Sequence, residues 1–118
     1  MFSPAVLDHF KNPRNSGDLL DATAVVEVTN PVCGDILRLA VKIEDGKVVA
    51  ARFKTRGCVT AIACSSYVAE WAEGKTLEDL RKTTYEQISE ALGGLPPATM
   101  HGAQLAHDAL VAVAEKVR

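Results

Sequence analysis

The amino-acid sequence predicts an α+β fold in which a three-stranded antiparallel sheet packs against helices. Apolar and polar residues alternate in two stretches of the first half, as they do in half-buried strands, and a hairpin signal after the second stretch predicts a third strand. After residue 58 the apolar residues recur at helical spacing. Strands followed by helices are typical of a sheet whose helices cover one face. The 118 residues, 47% of them hydrophobic, are expected to form one domain over residues 1–118.

The first helix and the three strands follow from local patterns. Ser3 and Pro4 predict the start of a short helix that stops before Pro13. The alternation predicts strands at residues 22–29 and 36–44, and residues 48–54 are expected to return as the third strand. The dipeptide at 45–46, Asp-Gly, predicts a two-residue hairpin loop that pairs the second and third strands antiparallel.

The second half of the chain is predicted to be helical. A helix begins after Cys58 and continues until Gly74 provides a stop signal. Capping boxes predict two short helices, one after Thr76 and one after Thr84. An extended Leu-Pro-Pro linker then leads into a final amphipathic helix that starts near residue 100.

Composition and charge exclude several classes of function. A net charge of -2 leaves no broad basic face, and aromatic residues make up only 5%, so nucleic-acid binding is not expected. The sequence contains no glycine-rich phosphate loop, nucleophile elbow or HExxH motif, which are common signatures of enzymes. The N-terminal segment has the pattern of neither a signal peptide nor a membrane span. We therefore expect a cytoplasmic protein that contacts no membrane and whose three cysteines form no disulfide.

Four candidate ligands lie at boundaries between predicted elements: Cys33, Asp35, Cys58 and His101. Thiolate, imidazole and carboxylate groups hold zinc or iron-sulfur centres, which need about four ligands. Gly34 lets the turn bend between the first two candidates, and the positive end of the helix after Cys58 favours a thiolate. The 24 residues between the two cysteines do not match zinc-finger spacing, so two buried thiols are the alternative interpretation.

The remaining cysteine and histidines are assigned structural or surface positions. Cys64 follows Cys58 by six residues, which is about 240° around a helix, so it is predicted to lie in the core. His9 and His107 each lie beside an aspartate on a predicted helix and are expected to be exposed to solvent.

Five segments match one protein family in order and spacing: DHFKNPRNSG, NPVCGD, FKTRGCVTAIACSS, VAEWAEGKTLEDL and LPPATMHGAQLAHDAL. They resemble the U-type iron-sulfur cluster assembly scaffolds, which comprise IscU and the N-terminal domain of NifU. The resemblance implies a non-enzymatic scaffold with a three-stranded antiparallel sheet that binds a labile 2Fe-2S cluster. It also implies that a cysteine desulfurase delivers the sulfur and that apo iron-sulfur acceptor proteins receive the cluster.

The resemblance gives roles to the candidate ligands. It implies that Cys33 and Cys58 bind the cluster, that Asp35 keeps the cluster labile, and that His101 belongs to the same site. A hard carboxylate among soft thiolates binds iron less firmly, which makes release of the cluster easier.

Two positions depart from the family pattern. Gly102 stands where the family has a third cysteine, often the sulfur acceptor, so poor sulfur acceptance is expected and Gly102→Cys is expected to restore it. Residues 95–99 read Leu-Pro-Pro-Ala-Thr instead of the family's Leu-Pro-Pro-Val-Lys, which counts against recognition by the dedicated heat-shock chaperone.

An alternative function uses the same ligands. With only two thiolates, the set suits zinc, either in the isolated protein or as the stabilising ion of an interaction protein that docks on a desulfurase without building a cluster. A hydrolytic metalloenzyme ranks last, because no residue stands out as its base.

Overall fold

The computed structural model describes residues 2–31 and 34–117 and confirms the predicted α+β fold. Within these residues the elements are helix α1 (Pro4–Lys11), strands β1 (Ala24–Thr29), β2 (Ile36–Glu44) and β3 (Lys47–Arg56), helices α2 (Val59–Ala72), α3 (Leu77–Lys82) and α4 (Tyr85–Ala91), a 3-10 turn (Pro97–Thr99) and helix α5 (Met100–Val117).

Some boundaries differ from the predicted ones. β1 starts two residues late, at Ala24, and β3 extends beyond the predicted stretch at both ends, over Lys47–Arg56. The linker before α5 is not extended throughout, because Pro97–Thr99 forms a 3-10 turn. In that turn the Thr99 amide donates to the Pro96 carbonyl at 2.9 Å. Short 3-10 turns of this kind commonly precede an α-helix.

The sheet is an antiparallel meander in the order β1-β2-β3. Asp45 and Gly46 have φ angles of 54° and 77°, as the predicted two-residue hairpin loop requires. β3 contains one extra residue, Val49, in a bulge, so the pairing shifts by one position along the hairpin. At the far end Ile36 pairs with Arg56. The start of β2 and the end of β3 therefore lie side by side.

The core lies between one face of the sheet and helices α2 and α5. Leu37, Leu39 and Val41 project from β2 into this layer and are fully buried together with Val68 and Leu110. Each such side chain contributes about 1.5–3 kcal/mol by leaving water. This packing fixes the first turns of α2 and α5 relative to the sheet. Among the described residues, none of the helices combines the length and the apolar composition that a membrane span requires.

The helical cap predictions are confirmed. The Thr76 hydroxyl accepts from the Asp79 amide, and the Asp79 carboxylate accepts in return from the Thr76 amide. Thr84 and Gln87 form the same reciprocal pair at the start of α4. These bonds satisfy backbone amides that the first turn of a helix leaves unpaired.

The expectation that His9 is exposed is wrong. The side chain is buried between α1 and α2, with its Nδ1 atom 2.8 Å from the Ser66 hydroxyl and its ring edge-on to Tyr67. The Arg14 amide donates to the same hydroxyl. His107, by contrast, is partly exposed. His9 was misassigned because its partner lies 57 residues away, beyond the reach of a local pattern.

Candidate metal centre

Three of the four predicted ligands meet at one end of the sheet. Asp35 directly precedes β2, Cys58 caps the start of α2, and His101 lies in the first turn of α5. Their ligand atoms all lie within 4.8 Å of one another. Cys33, the fourth predicted ligand, lies outside the described residues. The three described candidates thus come together from three separate elements.

The ligand atoms form a nearly equilateral triangle. The Cys58 Sγ atom is 3.7 Å from Asp35 Oδ2 and 3.6 Å from His101 Nε2. The distance between His101 Nε2 and Asp35 Oδ2 is 3.9 Å. Ligands that lie about 2.0–2.3 Å from a tetrahedral zinc ion are separated from each other by about 3.3–3.8 Å. The triangle therefore suits three ligands of a single ion with little rearrangement.

The site is open to solvent through its thiol. Cys58 is exposed, whereas the side chains of Asp35 and His101 are only 12% and 29% exposed. Two of the candidate ligands are thus mostly covered by surrounding structure while the third is exposed, so a metal or a partner protein can reach the site. A cavity of about 530 Å³ extends from His101 along α5 and is lined by Thr29, Asn30, Pro31, Ala98, Gln104, Leu105 and Asp108.

The backbone at Cys58 leaves its thiol available for binding. Cys58 is the N-cap of α2 and has an extended backbone, with φ -77° and ψ 176°. Its side chain makes no capping hydrogen bond, unlike the N-caps of α3 and α4. The thiol instead faces Asp35 and His101, at the helix end where the backbone dipoles favour an anion.

Cys64 is separate from the site and lies in the core, as predicted. It is fully buried among apolar side chains. Burial, helped by the nearby Cys58 thiol, raises the pKa of Cys64 to about 12. Because the thiolate is the form that binds metals and attacks sulfur, Cys64 is unsuited to either task.

Gly102 lets the start of α5 approach α2 closely. A Cβ atom at this position would lie 2.8 Å from Thr60 Cγ2, 3.0 Å from the Thr60 carbonyl carbon and 3.1 Å from the Ala61 nitrogen. Two of these three atoms belong to the backbone, which cannot rotate aside. A cysteine here would push the two helices apart. Any gain in sulfur acceptance by Gly102→Cys is therefore expected to come with a loss of stability.

Sequence reasoning missed one residue at the site, Gly57. It lies against the Asp35 carboxylate, across the ends of β2 and β3. The pairing of Ile36 with Arg56 could have revealed it, since the next residues outward are Asp35 and Gly57. That pairing depends on the bulge in β3, which the sequence pattern did not indicate.

The fold and the site define the class of protein as a small α+β domain that carries a candidate metal site of a cysteine, an aspartate and a histidine at one end of its sheet. The chain matches the family model described as "NifU-like N terminal domain" over residues 1–117, and it therefore belongs to that family. This confirms the resemblance found in the sequence.

Two named relatives and a solved structure agree with this assignment. The "Iron-sulfur cluster assembly scaffold protein IscU 1" of Archaeoglobus fulgidus is 49% identical over 110 residues, which cover 93% of this chain and 72% of that protein. The IscU scaffold protein of Azotobacter vinelandii is 45% identical over 116 residues, which cover 94% and 89%. The crystal structure of a nitrogen-fixing NifU-like protein (N-terminal) from Brucella abortus matches with a TM-score of 0.78 at 20% identity, covering 98% of this chain and 92% of that one, and so shows the shared fold.

Proposed function

We propose that this chain, as a single domain over residues 1–118, is a non-enzymatic scaffold on which an iron-sulfur cluster is assembled. The observation that carries the proposal is the meeting of Asp35, Cys58 and His101 at one partly open site. Relatives that are named as iron-sulfur cluster assembly scaffolds support the same role. The cluster is the cargo of this protein, so binding must be reversible.

The proposed ligands of a labile 2Fe-2S cluster are Cys33, Asp35, Cys58 and His101. Cys33 precedes Asp35 by two residues, and two residues of extended chain span at most about 7 Å, a length of chain that allows its thiol to join the other three ligands. The two thiolates bind iron strongly. The carboxylate of Asp35 is a harder ligand that iron exchanges more readily, which favours release to an acceptor.

Sulfur would come from a cysteine desulfurase, and the finished cluster would go to apo iron-sulfur acceptor proteins. In the transfer an acceptor thiolate attacks the outer sulfur of the desulfurase persulfide, and the desulfurase departs as a thiolate. Cys64 is buried and protonated, and position 102 has no thiol, so transfer to this chain is expected to be slow. We propose a cytoplasmic protein that the dedicated heat-shock chaperone does not recognise, because residues 95–99 lack the family's valine and lysine.

One observation favours the alternative, a zinc-stabilised protein that docks on the desulfurase. The ligand atoms are 3.6–3.9 Å apart, a spacing that suits one tetrahedral ion. A two-iron cluster divides its four ligands between two metal atoms, so some ligands would have to separate. We interpret the observed spacing as that of the scaffold before assembly, when it can hold a single iron or zinc ion.

Metal and sulfide analysis separates the two proposals. The protein is isolated without oxygen, incubated with ferrous iron, cysteine and a cysteine desulfurase, and desalted. Iron together with an equal amount of acid-labile sulfide supports the scaffold. Zinc that iron does not displace, with no sulfide, supports the zinc-stabilised interaction protein and contradicts the scaffold.

A further inference from the structure

The glycine next to the metal centre is not required by its own backbone. Six of the eight glycines have positive φ angles, a conformation that favours glycine over residues with a Cβ atom. Gly57 and Gly102 are the two that do not. What excludes a side chain at Gly57 is therefore its surroundings, not its conformation.

The obstacle at Gly57 is the carboxylate of a proposed ligand. A Cβ atom at position 57 would lie 2.6 Å from Cγ of Asp35, 2.8 Å from Oδ2 and 2.9 Å from Oδ1. All three distances are well below the ordinary contact distance of about 3.5–4.0 Å. The carboxylate thus lies directly against the bare Cα of Gly57, in the space where any other residue would have its side chain.

We propose that Gly57 is a positioning residue, which holds the Asp35 carboxylate beside Cys58 by leaving that space empty. This inference rests on the proposed function of the site. The oxygen concerned, Oδ2, is the atom that lies 3.7 Å from Cys58 Sγ and 3.9 Å from His101 Nε2. A displaced carboxylate would therefore leave both of its neighbours at once.

The carboxylate is the part of the site that would move. The backbone of Asp35 is held by its carbonyl, which accepts from the Asn30 amide at 2.8 Å. The side chain of Asp35, in contrast, turns about two single bonds. In Gly57→Ala the new methyl group should push the carboxylate away from Cys58 while the strands stay paired.

The first test measures the urea unfolding midpoint of the metal-free protein. Gly57→Ala is expected to lower the midpoint in the wild-type background and to cost much less in the Asp35→Ala background, where the obstructing atoms are gone. Gly102→Ala is the matched control, because its Cβ meets Thr60 and Ala61 and should cost the same in both backgrounds. Equal losses for Gly57→Ala in the two backgrounds would overturn the proposal.

The second test measures the binding of Co²⁺, whose visible absorption reports thiolate and imidazole ligands. Gly57→Ala should weaken binding by about tenfold, the size of effect seen when the group that orients a ligand is lost. The double variant Gly57→Ala/Asp35→Ala should bind no more weakly than Asp35→Ala alone. Losses that multiply in the double variant would contradict a role exerted through Asp35.

The two tests distinguish this inference from the proposed function. If the wild-type protein binds no Co²⁺, the proposed metal centre is wrong. The urea comparison then still decides whether Gly57 makes room for the carboxylate. If Co²⁺ binds but Gly57→Ala binds it as tightly as wild type, the metal centre stands and the positioning role of Gly57 is wrong.

Discussion

At the scale of single residues, Asp35 is the ligand to which we assign the lability of the proposed site. It is the one hard ligand among softer ones, and its carboxylate lies beside both Cys58 and His101 with only 12% of the side chain exposed. Exchange at this ligand is the step at which a bound cluster would begin to leave.

Replacing Asp35 by Ala should make an assembled cluster longer-lived and slower to transfer, because the readily exchanged ligand is gone. The measurement is the decay of scaffold absorbance after mixing with an apo-ferredoxin. Asp18→Ala is a suitable control, since Asp18 is an exposed carboxylate that pairs with Lys54 away from the site. Transfer from Asp35→Ala that is as fast as from wild type would contradict the assigned role.

His9 should make stability depend on pH. Burial lowers the pKa of His9 and Arg14 adds to the effect, while Glu70 and Asp8 oppose it. The unfolded chain then takes up a proton near pH 6.5, about the ordinary value, before the folded chain does. The stabilisation is therefore complete above that pH and is lost as the pH falls toward the lower, folded pKa.

The pH dependence is measured by urea unfolding between about pH 5 and pH 7.5, the range that contains the ordinary pKa of histidine. His9→Gln should flatten the fall in stability at the acid end, whereas His107→Gln, on a partly exposed surface, should leave it in place. If the stability of His9→Gln falls at acid pH as steeply as that of wild type, groups other than His9 cause the fall.

At the scale of elements, the hairpin between β2 and β3 builds one side of the site. The sequence predicted its loop, because Asp45-Gly46 is a local signal that specifies both backbone angles. It did not predict the extra residue Val49, since a bulge leaves no comparable local signature. If Val49 were paired in the ladder and not bulged, the register beyond it would move by one position, and Asp35 would lie opposite Arg56 instead of Gly57.

The close contact between α2 and α5 predicts the behaviour of Gly102→Cys. The new Cβ atom would be forced against Thr60 and Ala61, so we expect a loss of about 1–3 kcal/mol in unfolding free energy, as is usual for overpacking. Gly102→Ala should lose a similar amount. We also expect more sulfur on Gly102→Cys than on wild type after incubation with desulfurase and cysteine, measured by mass spectrometry.

The two predictions for Gly102→Cys, the loss of stability and the gain of sulfur, can be contradicted separately. An unfolding free energy of Gly102→Cys equal to that of wild type would contradict the close packing of the two helices. Wild-type protein that gains sulfur as fast as Gly102→Cys would show that a resident cysteine already accepts it, and Cys58, the exposed thiol of the described residues, would then be the first candidate.

At the scale of the whole molecule, the candidate site forms because three element boundaries meet at one end of the sheet. The start of β2 and the end of β3 adjoin through antiparallel pairing, and α2 begins at once after β3. The start of α5 joins them only through packing against α2 and the sheet. Local patterns could therefore place each ligand at an element boundary, but they could not show that His101 meets Cys58, 43 residues earlier. The family resemblance supplied that step, and the geometry of the described residues agrees with it.

The central claim is that Cys58 binds the cargo and that Cys64 belongs to the core. The most direct test is the iron and acid-labile sulfide content of wild type, Cys58→Ala and Cys64→Ala after the same reconstitution without oxygen. We predict that Cys58→Ala loses both iron and sulfide, because it removes one of two thiolate ligands, while Cys64→Ala retains them per folded molecule. Iron and sulfide in Cys58→Ala at the wild-type level would contradict the account.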